Sequence, residues 1–393
     1  MKGTALKIAI LAGESSGDLL GADLIASLKA RLGDDIHLIG VGGPALTAVG
    51  LTSLFDFSEL SIMGVTAVLQ KLPRLIGLIR RTAEAVIAAD PDVLVIIDSP
   101  DFTHRVARRV RKARPDLAIV NYVCPSVWAW KEYRAAAMLE YVDHVLAVLP
   151  FEPEVMARLG GPSTTYVGHR LRSLPALLDA RSAVAARRPD QQGGAPSLLL
   201  LPGSRGVEIR RLLPLFGQTV QQLVARGHRY RLLLPCVPHQ EALVRSLIVD
   251  WPVQPEIFVG EADKWRAFSQ ADMALAASGT VLLELALAGI PSVSTYKTDF
   301  WIRLVLSRIK VWSGALPNLI ADYPVMPEFF DEFIRPSMLA RLLERLSRET
   351  PQRASMLAGF QDVFDRMQTQ QPAGAFAAQI VLDVIAHKKT GHR

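Results

Sequence analysis

Short β-rich apolar runs alternate with longer helix-patterned segments along the whole chain, and this rhythm restricts the fold to α/β units built on parallel sheets. The sequence predicts strands at Leu6 to Leu11, Ile36 to Val41, Val93 to Ile97, Ala118 to Tyr122, Val145 to Val148, Leu198 to Leu201, Arg231 to Leu234, Met273 to Ala276 and Ser292 to Thr295. That set suffices for two sheets, which suits 393 residues at roughly 150 per domain. A polar, Gly/Pro-rich stretch at Asp179 to Ser197 reads as the join. The expected organisation is residues 1–180, residues 195–365, and a C-terminal helix with a basic tail over 366–393, packed on the first domain or on a partner subunit. Two such domains facing a cleft would make a ligand site.

Composition removes several classes of protein. Half the residues are hydrophobic and 21% charged, too apolar for a disordered chain. The formal charge of +6 is small for this length and no RNA-binding motif is present, so nucleic acid is not expected as a partner. Lys2 and Lys7 break up any signal-peptide core, and Ile36 to Phe55, free of Lys, Arg, Asp and Glu, carries Gly40, Gly42, Gly43, Pro44 and Gly50, so neither secretion nor a spanning helix is expected. Cys124 and Cys236 are unpaired in spacing, which fits a reducing compartment. No His or Cys cluster has metal-ligand spacing, so no metal and no cofactor are expected. His104, His144 and His169 read as structural or cleft-lining.

Several turns carry chemistry. Gly13-Glu14-Ser15-Ser16-Gly17-Asp18 joins the first strand to a helix expected at Leu19 to Leu32. It matches the G-x-S-x-G spacing of a nucleophile elbow, which would make Ser15 an esterase nucleophile, but it follows the first strand with no Gly-rich oxyanion segment before it, and a plain packing turn is favoured over that reading. Asp98 and Asp101 stand at the carboxyl end of the strand Val93 to Ile97, the edge where open α/β sheets bind ligands. A general base belongs there, although a cap for the basic segment Arg105 to Arg114 would use Asp98 equally well. Asp90-Pro91-Asp92 precedes that strand and reads as a helix-ending turn. Pro202-Gly203-Ser204-Arg205 lacks the Walker lysine, and Arg205 could fork onto a phosphate. Ser278-Gly279-Thr280 opens the helix Val281 to Ala288 and makes an anion site, with Glu284 one turn further in, suited to sugar hydroxyls or simply exposed. Ser61 to Arg81 mixes apolar residues with cations, as a membrane-interface segment or as a core helix pair broken at Pro73.

Together, Gly13 to Asp18, Ile97-Asp98-Ser99-Pro100-Asp101-Phe102, Pro125-Ser126-Val127-Trp128-Ala129-Trp130, Leu201 to Arg205, Ser278 to Thr280 and Leu316-Pro317-Asn318-Leu319-Ile320 resemble the lipid-A-disaccharide synthase family. The resemblance implies an inverting glycosyltransferase of the GT-B architecture, two Rossmann-like domains facing a cleft. It implies transfer of 2,3-diacylglucosamine from UDP-diacylglucosamine to 2,3-diacylglucosamine 1-phosphate, at the cytoplasmic face of the inner membrane. A UDP-sugar 2-epimerase of the same architecture, or an esterase using Ser15, is the alternative. By the resemblance Asp98 is the base, with Asp101 in reserve; Arg205, Ser278, Gly279, Thr280, Glu284 and Asn318 bind the UDP donor; Gly13, Glu14 and Ser15 face the acceptor. Met63, Val68, Leu69, Leu72, Leu75 and Ile76 are then the membrane-facing, chain-receiving side chains. Asp331 stands where the family pattern has Gln, and an acid beside a diphosphate is unfavourable, so it is left outside the site. The resemblance also implies a possible homodimer through the helix Phe376 to His387.

Overall fold

The computed structural model describes residues 5–60, 65–187, 194–298 and 310–390, the backbone alone for 65–72. The chain divides into two compact units, Met1–Arg170 with Thr369–Arg393, and Leu171–Gln368. The division falls ahead of the polar stretch at Asp179 to Ser197, and the last segment belongs with the first unit.

In the first unit, β1 (Leu6–Ala12), β2 (Ile36–Val41), β3 (Val93–Ile97), β4 (Ala118–Tyr122), β5 (His144–Ala147) and β6 (Thr164–Tyr166) form one sheet in the order β2-β1-β3-β4-β5-β6. Every pairing is parallel. The central strands β3 and β4 are buried along their length, as apolar runs flanked by helices on both faces must be. One face is covered by α3 (Val65–Ala89), α4 (Pro100–Ala113), α5 (Tyr133–Ala137) and α6 (Glu152–Arg158), whose Ile79, Val106, Ala135 and Met156 join a single core. The other face is covered by α1 (Ser15–Leu32), α2 (Pro44–Ala48) and the C-terminal helix, here α15 (Ala373–Thr390), which contributes Ala377, Ala378, Val381 and Ile385.

The second unit repeats the plan. β7 (Ser197–Leu201), β8 (Arg231–Cys236), β9 (Glu256–Val259), β10 (Met273–Ala277), β11 (Ser292–Tyr296) and β12 (Glu328–Phe330) lie parallel in the order β12-β11-β10-β7-β8-β9. Around them run α7 (Pro175–Ala186), α8 (Gly206–Ala225), α9 (Glu241–Ile248), α10 (Glu261–Phe268), α11 (Val281–Ala288), α12 (Leu316–Ala321), α13 (Pro336–Leu346) and α14 (Pro351–Arg366).

Three sequence expectations about these elements change. Helix α1 starts at Ser15, so Ser15 to Asp18 are its first turn. Helix α3 runs through Pro73 as one helix rather than breaking into a pair there. Three edge strands, β6, β9 and β12, join the nine expected. Cys124 and Cys236 are both free and buried.

Candidate active site

The first group of site residues lies at the carboxyl edge of the first unit's sheet. Asp98 follows β3 directly and has φ 52, with Ser99 next at φ 44, so two side-chain-bearing residues in succession adopt the left-handed conformation. Such strain persists only where the surroundings over-determine it, and it gathers at functional sites. Here the backbone is held by Thr103, whose hydroxyl donates to the Asp98 carbonyl at 2.6 Å. Gly13 N–H donates to the Ile97 carbonyl, bringing the two loops so close that a Cβ on Gly13 would overlap the Ser99 side chain. Only glycine fits there.

The Asp98 carboxylate is not a cap for α4, since Ser99 occupies that position and makes no side-chain cap bond. It accepts from Ser16 Oγ at 3.2 Å, across from the first turn of α1. Burial, and secondarily the Glu14 carboxylate, raise its pKa to about 6, against which the Ser16 bond pulls weakly down. Asp101 is exposed in the first turn of α4. Ser15 is exposed and already helical, following an extended Glu14, so it does not stand on the strained strand-to-helix turn that a nucleophile elbow requires. Asp18, whose task the sequence did not reveal, is buried and accepts from the N–H groups of Gly43 (2.7 Å), Ala45 (2.8 Å) and Leu46 (3.1 Å). It caps α2 from another helix, because the residue before that helix is a glycine.

The second group lies at the carboxyl edge of the other sheet, in the second unit. Gly203, at φ 106, turns the chain after β7 so tightly that a Cβ would run into the Glu208 carboxylate. Glu208 reaches back to Arg205 N–H, and Arg205 Nη1 donates to it at 3.1 Å, which holds a guanidinium that remains 65% exposed. After β10, Ser278 N–H donates to the Thr295 carbonyl at 2.9 Å and its hydroxyl to the Gly314 carbonyl at 3.4 Å. Neither Ser278 nor Thr280 caps α11 with its side chain; Leu282 and Leu283 N–H turn back to the Gly279 and Thr280 carbonyls, which leaves the N–H groups of Gly279, Thr280 and Val281 at the positive end of the helix for an anion. Glu284 is not an exposed face residue. Burial raises its pKa, and Lys264 Nζ, 3.2 Å away, offsets this while also pairing with Glu261 at 2.9 Å. Lys264 was invisible from the sequence because no local pattern links it to a residue twenty positions on.

Asn318 has a different task from lining the pocket. It is buried, its amide donates to the Met326 carbonyl (3.1 Å) and Glu328 Oε2 (3.2 Å), and its carbonyl accepts from Val325 N–H and Met326 N–H. Glu328 in turn holds Gly314 N–H at 3.1 Å, so Asn318 acts on the Ser278 turn through Glu328 and Gly314. Asp331 accepts from Thr298 N–H and Oγ1, at 2.9 and 2.6 Å.

The remaining expectations fall as follows. Met63 and the side chains of Val68, Leu69 and Leu72 lie outside the described residues; Leu75 packs partly buried against the core and Ile76 is 47% exposed. His104 Nδ1 meets the Tyr141 hydroxyl and His144 Nε2 meets Thr165 Oγ1, each at 2.9 Å. Burial lowers the pKa of His104 and of His169 to about 4, which makes both neutral structural groups at pH 7. Asp92 accepts from Lys7 N–H at the amino end of β3, away from the site edge. Among the described residues no His, Cys, Asp or Glu group could hold a metal ion, and no helix is long and apolar enough to cross a membrane.

Comparison with known proteins places this architecture. A family model described as lipid-A-disaccharide synthetase matches residues 8–380. Lipid-A-disaccharide synthase of Rhodopseudomonas palustris (strain HaA2) is 50% identical over 390 residues, covering 98% of this chain and 97% of the relative. That of Bradyrhizobium diazoefficiens is 48% identical over 378 residues, covering 96% of each. Among solved structures, an S. aureus MnaA co-structure with UDP aligns with TM-score 0.61 at 11% identity, over 98% of this chain and 97% of that one. The calicheamicin glycosyltransferase CalG4 aligns at 0.60 and 15%, over 98% and 99%. At such identities these two speak for the fold, two Rossmann-like domains.

Proposed function

The chain belongs to the lipid-A-disaccharide synthase family of glycosyltransferases, and from that premise we propose how its two groups of residues divide the reaction. The acceptor is 2,3-diacylglucosamine 1-phosphate and the donor is UDP-2,3-diacylglucosamine. Asp98 takes the proton of the acceptor 6-hydroxyl as that oxygen bonds to the donor's anomeric carbon from the face opposite UDP. The bond from that carbon to the diphosphate oxygen breaks, the configuration inverts, and a β-1,6 disaccharide phosphate and UDP leave. A carboxylate with pKa about 6 is ionised at pH 7 yet keeps more basicity than an ordinary aspartate. The observation that carries the reading is the position of that carboxylate, directly after β3 at the carboxyl edge of the sheet and facing Ser16 of α1. Glu14, Ser15, Gly13 and the exposed Asp101 border the acceptor.

Charge growing on the departing diphosphate is met by Arg205, Ser278, and the N–H groups of Gly279, Thr280 and Val281. Glu284, oriented by Lys264, takes the UDP ribose hydroxyls, and Asn318 is a positioning residue for that pocket. Because both substrates are acylated, and each CH₂ brought out of the bilayer costs about 0.8 kcal/mol, the protein meets them at the inner membrane's cytoplasmic face. The exposed Ile76 and the preceding residues to Met63 serve this contact. A homodimer through α15 finds little support, because its Ala377, Val381 and Ile385 face is spent on its own chain.

The epimerase reading yields to the family match, and the esterase reading to the helical setting of Ser15. The test mixes purified protein with both acylated substrates and follows disaccharide and UDP by mass spectrometry. Wild type forms both, and Asp98→Asn loses at least about a hundredfold in rate. Full turnover by Asp98→Asn removes Asp98 from the role.

A further inference from the structure

The loop that leaves β4 begins beside Asp98. In the β3–β4 register Ile97 pairs with Tyr122, so the next residues, Asp98 and Val123, leave the ends of neighbouring strands. Both are left-handed, Val123 at φ 75, a conformation that a β-branched side chain adopts only under constraint. The loop continues through Pro125-Ser126-Val127-Trp128-Ala129-Trp130 to Lys131, itself left-handed, whose ammonium lies 4.0 Å from the centre of the Trp130 ring.

One buried carboxylate ties this loop down. Glu152, 2% exposed in the first turn of α6, accepts from the N–H groups of Val148 (3.1 Å) and Leu149 (3.0 Å) with Oε2, and from Trp128 Nε1 (3.3 Å) with Oε1. The Trp128 ring also meets Phe151 edge to face at 5.5 Å. A carboxylate is the one side chain that offers acceptors to all three donors at once. Burying it carries a desolvation penalty, which raises its pKa to about 7, so a residue chosen only for packing would not be an acid.

We infer that Glu152 is a positioning residue for the transfer, clamping the Trp128 loop and with it the strained Val123, which leaves β4 next to the strand end that carries Asp98, on the acceptor side. This rests on the assignment of Asp98 to the acceptor. A glutamine in place of Glu152 keeps its oxygen for the two backbone N–H groups and turns its NH₂ toward Trp128 Nε1, donor against donor, which releases the loop. Trp128→Phe breaks the same bond from the other side and leaves the Val148 and Leu149 bonds intact.

The experiment is steady-state transfer by the full-length protein with each substrate varied in turn, alongside UDP binding by calorimetry and tryptophan emission. Glu152→Gln and Trp128→Phe are each expected to lower kcat/KM for the acceptor by about 10- to 100-fold, with the UDP dissociation constant within twofold of wild type. The double variant is expected to be no worse than Glu152→Gln alone, since the ring no longer presents the clashing N–H. Tryptophan emission shifts to the red in Glu152→Gln as the loop opens. If Glu152→Gln does not fold, Trp128→Phe decides alone. Acceptor kcat/KM within twofold of wild type in the folded variants, or an equal loss in UDP binding, overturns the inference. The site reading fails separately, if Asp98→Asn keeps its turnover.

Discussion

As the proposed base, Asp98 joins two demands that pull against each other. In that role its carboxyl must ionise to take a proton, yet its setting raises the pKa from 3.8 to about 6, so the folded protein holds the proton more tightly than the unfolded chain. Stability is therefore free of this penalty below about pH 4, declines as the pH rises toward 6, and carries the full penalty above. Asp98→Asn is expected to be more stable than wild type at pH 8, by at most about 3 kcal/mol, with the difference closing toward pH 4 in denaturant melts. Turnover by wild type has the opposite sign. It falls about tenfold per pH unit below 6, as the base becomes protonated. A rate that stays flat down to pH 5 contradicts the assignment. Asp98 was legible in the sequence because it directly follows an apolar strand, whereas Asp18 and Glu152 act across 25 residues or through a distant loop and left no local sign.

At the scale of elements, the sequence declared the buried strands and concealed the edges. β3 and β4 are continuous apolar runs, while β6 is Thr164-Thr165-Tyr166 and β12 is Glu328-Phe329-Phe330, three residues each, half buried on the sheet margin. Edge strands need only one partner and one covered face, so neither length nor hydrophobic alternation marks them. Helix α15 shows what holds such an element in place. Lys388 pairs with Asp143 and Lys389 with Asp92, both at 2.7 Å, and Arg31 binds Gln379, Gln371 and the Ala375 carbonyl. The Lys389 ammonium is largely exposed, so Lys389→Ala is expected to cost under about 1 kcal/mol. Ile385, 7% exposed in the shared core, should cost about 2–4 kcal/mol as Ile385→Ala. Denaturant melts of the two variants separate an ionic latch from an apolar dock, and the reverse ranking would favour the latch.

For the molecule as a whole, a surplus of 44 cations over 38 acids is modest, but its placement matters. Arg105, Arg108, Arg109 and Lys112 are exposed along α4, which packs beside α3 and its exposed Ile76. A basic strip next to apolar side chains suits an anionic bilayer. The protein is expected to sediment with phosphatidylglycerol vesicles at low ionic strength, and largely to release at 0.5 M salt, where screening is several times shorter in range than at 0.03 M. Equal binding to neutral phosphatidylcholine would leave the strip without a role. The overall architecture was readable because parallel sheets write themselves as apolar runs at regular intervals.

That an eighteen-residue helix so late in the sequence, Ala373–Thr390, completes the hydrophobic centre of the opening unit has a bearing on synthesis. On the ribosome, the middle of the chain has all its own parts before the beginning does. Until α15 emerges, Leu24, Ile25 and Leu28 of α1 wait uncovered, and a nascent chain stalled before Ala373 would be the species most in need of a chaperone.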